Sequence, residues 1–333
     1  MSTTTGERGH DRDLGDRPRP LRIVPSARRR RMLLIVNPHA STVSAQIREL
    51  VLRALESRFE VEAVDTRAPG DATSLSREAA SGDYDLVVAL GGDGTVNEAA
   101  NGLRGSSTPL SCLPGGSANV FAKLLGIPGD LLDATEHLLG LADDWRQRRV
   151  DLGVVNGRCF TFNSGLGLDA MVVEQVDSNP HLKARLGPWY YSWVAVWTFL
   201  RRYLRRPPRL RVQAGGRTLE GVIAIVQNGA TFTYFQDRPI DIAEGAELDS
   251  GDLAGGVMHR AGLLSMLSVA WRAFSPRARV AGNRQVTPLE PLRELTVRTA
   301  DGRPLPLQAD GDFLGEVSEA RYSILPDALN VVA

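Results

Sequence analysis

"LGGDGTVNEAANGL", residues 90–103, sets three glycines and an aspartate between an apolar run and a segment of helical character. The run that leads into it, "DLVVAL" at 85–90, reads as a buried strand, and the tight turn opens directly into a helix. A strand that passes through a glycine turn into a helix is half of a βαβ unit. In an open parallel sheet such turns lie beyond the carboxyl ends of the strands, where backbone N–H groups and helix N-termini face outward.

Working outward, "MLLIVN" (32–37) is a second buried-strand run. "VSAQIRELVLRALESRF" follows, with Val43, Ile47, Leu50, Val51, Ala54 and Leu55 at helical spacing. "EVEAVDT" reads as the next strand and "DATSLSREAAS" as a helix with Asp71 placed to cap it. "PLSCL" supplies another strand before a second glycine turn. The alternation predicts a Rossmann-like parallel α/β domain with helices on both faces of the sheet. Near residue 150 the pattern changes. "VDLGVV-NG-RCFTF", "RLRVQA-GG-RTLEGVIAIV" and "ELTVRTA-DG-RPLPLQA" are strand pairs split by dipeptides that favour hairpin turns. They predict a mainly antiparallel β domain, with one helical segment at 186–205 between the first two hairpins.

Composition limits what these domains can do. With 333 residues, 43% of them hydrophobic, the chain can fill two ordinary cores. A formal net charge of zero argues against a nucleic-acid binder, which carries a basic excess. Two cysteines, Cys112 and Cys159, and five scattered histidines make neither a disulfide framework nor a zinc site. The charged, Gly- and Pro-containing residues 1–30 read as a disordered tail and not a signal peptide. The longest apolar stretch, "WYYSWVAVWTFL" (189–200), is too short for a bilayer core of about 30 Å. The expected location is therefore the cytoplasm.

Gly91, Gly92 and Gly94 would let a phosphate chain lie against the backbone without meeting a side chain. Asp93 would repel that chain unless a ribose hydroxyl or a divalent cation meets it. A nucleotide with magnesium satisfies both demands, although a lone Gly-x-Gly is also an ordinary strand-to-helix turn capped by Asp93 or Thr95. The feature is doubled in "PGGSANVFAKLLGIP", where Gly115 and Gly116 precede Ser117 and Asn119, and "VNPHAS" adds Asn37 and Ser41. No G-x-x-x-x-G-K-[ST] occurs and only two lysines are present, so a P-loop enzyme is excluded. The dinucleotide fingerprint is missing from the first strand turn, which disfavours hydride transfer.

In their order, "VNPHAS", "GGDGTVNEAANGL", "PGGSANVFAKLLGIP", "FNSGLGLDA" and "QADGDFLGE" resemble the soluble lipid kinases of the diacylglycerol kinase and sphingoid-base kinase catalytic family. The resemblance covers residues 31–333. It implies a Rossmann-like domain at 31–150 joined by the returning segment 322–333, a β-sandwich at 151–321, and a nucleotide cleft between them. It implies ATP and Mg2+ as cofactors. Asn37, Gly92, Asp93, Gly94, Thr95 and Glu98 would line the ATP site, with Gly116 and Ser117 closing it. Asp310 would be the general base, and Asp93 and Asp312 the metal ligands. From the dipeptide alone, Asp310-Gly311 would be another surface turn. The chain departs from the family where Val120 replaces an aspartate and Asp312 a glutamate, which bears on metal ligation.

The implied partner is a lipid, and residues 187–211 suit peripheral contact with the inner membrane surface. Trp189, Trp193, Val196, Leu200 and Leu204 fall on one helical stripe, and six arginines between 201 and 211 have no acidic neighbour in sequence. The same helix could instead pack on the β domain. A homodimer is left open. The expected activity is transfer of the γ-phosphoryl group to a lipid hydroxyl, diacylglycerol foremost. The alternatives are an NAD-kinase-like enzyme on a soluble substrate, motivated by GGDGT, and a non-catalytic lipid-binding regulator, motivated by Val120 and Asp312.

Overall fold

The computed structural model describes residues 28–333 apart from 41–42, 144, 180–181, 183–187, 205, 236–237, 244 and 276–277. Most of the expected tail, and Ser41, lie outside the described residues. Four parallel strands, β1 (Arg31–Val36), β2 (Glu60–Asp65), β3 (Leu86–Gly91) and β4 (Leu110–Pro114), stand in the order β2-β1-β3-β4. β3 and β4 are buried along their whole length, as strands covered on both faces must be. Helices α1 (Ala45–Glu56), α2 (Asp71–Ser81), α3 (Asp93–Leu103), α4 (Val120–Leu124) and α5 (Leu131–Leu141) connect them.

Local chemistry fixes the helix starts. Ser44 accepts the Ile47 N–H at 3.2 Å to open α1, and Asp130 accepts the N–H groups of Leu132 and Asp133 to open α5. Asp71 does not cap α2 as expected. It is the first helical residue, and its carboxylate accepts from Arg67 and Ala68 in the preceding turn. Glu98 takes the helix end instead, accepting the N–H groups of Gly70 at 2.8 Å and Ala72 at 3.2 Å. Leu50 shares the spacing of the α1 core stripe yet is 55% exposed, because Val51 and Leu55 already fill the contact with the sheet.

The large sheet does not stop at the fourth strand. The strand Glu319–Val332 pairs through Val331 with Leu110 of β4, then continues into an antiparallel array with Gln147–Val155 and Glu294–Thr299. A register shift between Leu325 and Leu329, with Asp327 at φ 51°, lets one strand serve both lobes. A second sheet of six antiparallel strands packs on this half to make the β-sandwich, around a core that includes Phe160, Leu166, Val226, Val257 and Tyr322.

The hairpin expectations divide. Asn156-Gly157 and Gly215-Gly216, all four at positive φ, turn true hairpins. Asp301-Gly302 does not: Glu294–Thr299 belongs to the large sheet and Leu305–Ala309 to the six-stranded one. Likewise "RTLEGVIAIV" is two strands, Arg217–Gly221 and Ile223–Gln227, which enter different sheets at Val222. The β lobe also carries three helices among the described residues and not one: α6 (Leu168–Asp177), α7 (Pro188–Thr198) continued by a π-helical turn at Phe199–Tyr203, and α8 (Leu263–Phe274).

Candidate active site

Gly91 and Gly92 at the start of α3 face Gly115 and Gly116 after β4. The Gly115 N–H donates to Gly91 O at 2.7 Å, and a methyl group on Gly115 would stand 2.9 Å from Gly91 Cα. One on Gly116 would stand 2.8 Å from Gly92 Cα. The doubled glycines therefore serve first to let two turns touch backbone to backbone. Gly94 has another neighbour: a methyl there would meet the Asp312 carboxylate at 2.8–2.9 Å. Asn37 donates to Thr95 Oγ1 at 3.1 Å and accepts the His39 N–H at 2.9 Å, which holds the first turn beside the second. Asn119, left-handed at φ 48°, closes the Gly116 turn by accepting its N–H and donating to its carbonyl.

Asp93 turns toward α4, where its Oδ1 accepts the Phe121 N–H at 3.2 Å. Burial pushes its carboxyl up to about 7; the Phe121 and Val120 N–H groups pull it down, and the Asp310 and Asp312 carboxylates push it further up. Val120 thus contributes its backbone where the side-chain carboxylate was expected.

Asp310 and Gly311 do form a tight turn, at φ 50° and 81°, between strands Leu305–Ala309 and Asp312–Val317. It is not a surface turn, since Asp310 is 3% exposed. Its Oδ2 accepts from Thr161 N at 2.6 Å, Thr161 Oγ1 at 2.7 Å and Asn97 Nδ2 at 2.8 Å, and its Oδ1 from Phe162 N at 3.0 Å and Asn163 N at 3.1 Å. Burial raises the carboxyl above the usual range against the pull of these donors. The Asn97 bond ties α3 of the parallel lobe to the turn of the β lobe.

A cavity of about 780 Å³ collects these groups. Asn37, Gly92, Asp93, Gly94, Thr95, Gly116, Ser117, Asp310 and Asp312 all line it. Glu98 does not, because it is occupied at the N-terminus of α2. Its neighbour Asn97, in the same motif, is the residue that reaches the site. The polar mouth continues past Asp310 into an apolar interior lined by residues such as Val172, Ala195, Ile225 and Val269. Between the two halves stands Asp169, from "FNSGLGLDA". Its Oδ2 accepts from Gln308 at 3.0 Å, its Oδ1 is buried without a hydrogen-bond partner, and burial pushes the carboxyl up to about 6. A sequence signal existed for both residues, since each is a polar group at a fixed place in a quoted motif, but spacing alone does not tell which of two neighbours faces inward.

The cavity wall holds four aspartates and no lysine or arginine among the described residues. No three His, Cys, Asp or Glu side chains among them are close enough to hold an ion alone. The Asp93 and Asp312 carboxylates on that wall are of the type that Mg2+ takes beside waters and substrate phosphates.

Residues 31–155 match the family described as the diacylglycerol kinase catalytic domain, and residues 164–333 the YegS C-terminal NAD kinase beta sandwich-like domain. The chain is 29% identical over 253 residues to a Bacillus subtilis (strain 168) protein named diacylglycerol kinase, covering 74% of this chain and 79% of that one. It is 29% identical over 168 residues to the Staphylococcus carnosus (strain TM300) protein of the same name, covering 49% and 53%. The chain spans about half the length of that staphylococcal relative. A solved structure from Bacillus anthracis str. Sterne superposes with a TM-score of 0.73 at 23% identity, over 93% of this chain and 97% of that one.

Proposed function

The chain belongs to the diacylglycerol kinase family of lipid kinases, and from that premise we propose that it phosphorylates the free hydroxyl of diacylglycerol with ATP. The observation that carries the substrate reading is the single cavity, polar where the glycine turns meet and apolar beyond Asp169. A triphosphate lies against the N-terminus of α3, whose first N–H groups lack helical partners, while the acyl chains fill the apolar interior. The reacting hydroxyl then falls between them, beside Asp310 and Asp312.

Phosphoryl transfer needs in-line placement and charge neutralisation more than covalent help. Mg2+, when bound, supplies that neutralisation, and Asp93 and Asp312 are the residues that would hold it. Asp310 is the proposed general base. Five donors already fill its two oxygens, so the incoming hydroxyl must replace one of them. The Thr161 hydroxyl is the donor that can turn away by rotation alone. Asp169 Oδ1 offers an acceptor to a polar group of the lipid head. Asn37, Thr95, Gly92, Gly94, Gly116 and Ser117 shape the nucleotide mouth, and Glu98 supports it indirectly by fixing α2. Residues 187–211 give peripheral contact with the bilayer.

The test is incubation of the purified chain with labelled ATP and Mg2+ over vesicles containing diacylglycerol. Labelled phosphatidic acid is the expected product. ATP consumption with NAD but not with lipid would replace this reading by the soluble-substrate one, and nucleotide and vesicle binding without turnover by the regulator.

A further inference from the structure

Eleven of the fifteen exposed large apolar side chains among the described residues lie on two helices of the β lobe. On α7, its π-turn and the capping residue after it they are Trp189, Trp193, Val196, Trp197, Leu200 and Leu204; on α8 they are Leu263, Leu264, Leu267, Trp271 and Phe274. α8 has no fully buried residue, and Leu264 is 82% and Trp271 64% exposed. Both helices turn a second face inward. Tyr191 and Ala195 of α7, and Met266 and Val269 of α8, line the lipid half of the cavity. The outer face of each is therefore backed directly by the pocket.

Charge indicates what meets those outer faces. Neither helix nor the π-turn contains an acidic residue. Exposed Arg201, Arg202 and Arg206 follow α7, and exposed Arg279 follows α8. Arg201 lies 4.0 Å over the Trp197 ring, a cation on an aromatic platform. Arg202 has Glu174 at a loose 3.9 Å. Tryptophan prefers the headgroup level, leucine the acyl region below it, and arginine the phosphates of anionic lipid.

We propose that α7 and α8 together form a docking surface for an anionic bilayer, and that diacylglycerol enters the cavity directly from that bilayer between them. α8 is the new element: it is a second insertion helix alongside the Trp-rich one. The inference rests on the lipid-kinase reading for its cargo, though not for the docking itself.

The test compares the full chain with the Leu264→Ser/Trp271→Ser variant, neither of whose altered positions lines the cavity. Sedimentation with phosphatidylglycerol/phosphatidylcholine vesicles should show binding by the wild type, weaker by about tenfold or more in the variant. Turnover of diacylglycerol embedded in those vesicles should fall in step, while turnover of dissolved dioctanoylglycerol stays at the wild-type rate. Equal sedimentation of both proteins would overturn the proposal. So would a wild-type dimer that the same substitutions dissociate, because the surface would then be an interface between copies. A wild type that binds vesicles but phosphorylates neither lipid refutes the kinase reading alone; one that phosphorylates dioctanoylglycerol without binding vesicles refutes the docking alone.

Discussion

Asp310 is held by five hydrogen bonds from three consecutive residues of one segment and from Asn97 of the other lobe. A carboxylate so placed organises the fold as well as the reaction. Asp310→Asn would set an amide N–H₂ against donors that need an acceptor, costing about 1–3 kcal/mol for each bond left unmade. Its thermal midpoint should fall along with its turnover, and an unchanged midpoint would show that the five bonds do not stabilise the fold. Asn97→Ala removes one donor from Asp310. It should lower kcat more than it raises the KM for ATP, since Asn97 touches the base and does not line the cavity. The sequence pointed to Asp310 through its motif but not to Asn97, because a helix pattern ranks Asn97 and Glu98 equally until the tertiary partner of each is known.

At the scale of elements, the facing glycine turns are a packing device that also leaves an open mouth. Gly115→Ala must push apart backbones that now stand in contact, a strain of about 1–3 kcal/mol. Urea denaturation should show that loss as a lower midpoint with an unchanged slope. A variant as stable as the wild type would mean that the turns separate freely. The βαβ lobe was legible because buried parallel strands are continuous apolar runs and helices keep their own period. The β lobe was only partly so. Turn dipeptides tell where a chain reverses but not which sheet receives the next strand, so the crossing at Asp301-Gly302 read as a hairpin and the one at Val222 as an uninterrupted strand. α8 was not anticipated, since its outward apolar face lacks the polar side that marks a surface helix.

Across the whole molecule, the buried carboxyls of Asp93, Asp169 and Asp310 around one cavity give ligand-free protein a distinct response to pH. Asp93 is pushed up to about 7 and Asp169 to about 6 by burial, from an ordinary value of 3.8. A carboxyl raised by folding stabilises the protein fully below its unfolded value and loses that contribution as pH rises through its folded value. The thermal midpoint should therefore fall between about pH 4 and about pH 7, and less steeply in Asp93→Asn. Mg2+ with nucleotide should restore it at the upper end by binding the charged form. A midpoint that rises across this range, equally in both proteins, would contradict the charge assignment.

The central claim is that one cavity holds nucleotide and lipid together, and Ala195→Phe tests it most directly by filling the apolar half from α7 without touching the polar mouth. The measurement is the KM for dioctanoylglycerol and for ATP in wild type and variant. The account predicts a KM for the lipid raised at least tenfold, on the order of a buried aromatic ring's contribution, with the KM for ATP unchanged. A lipid KM that does not move would mean that the acyl chains bind elsewhere.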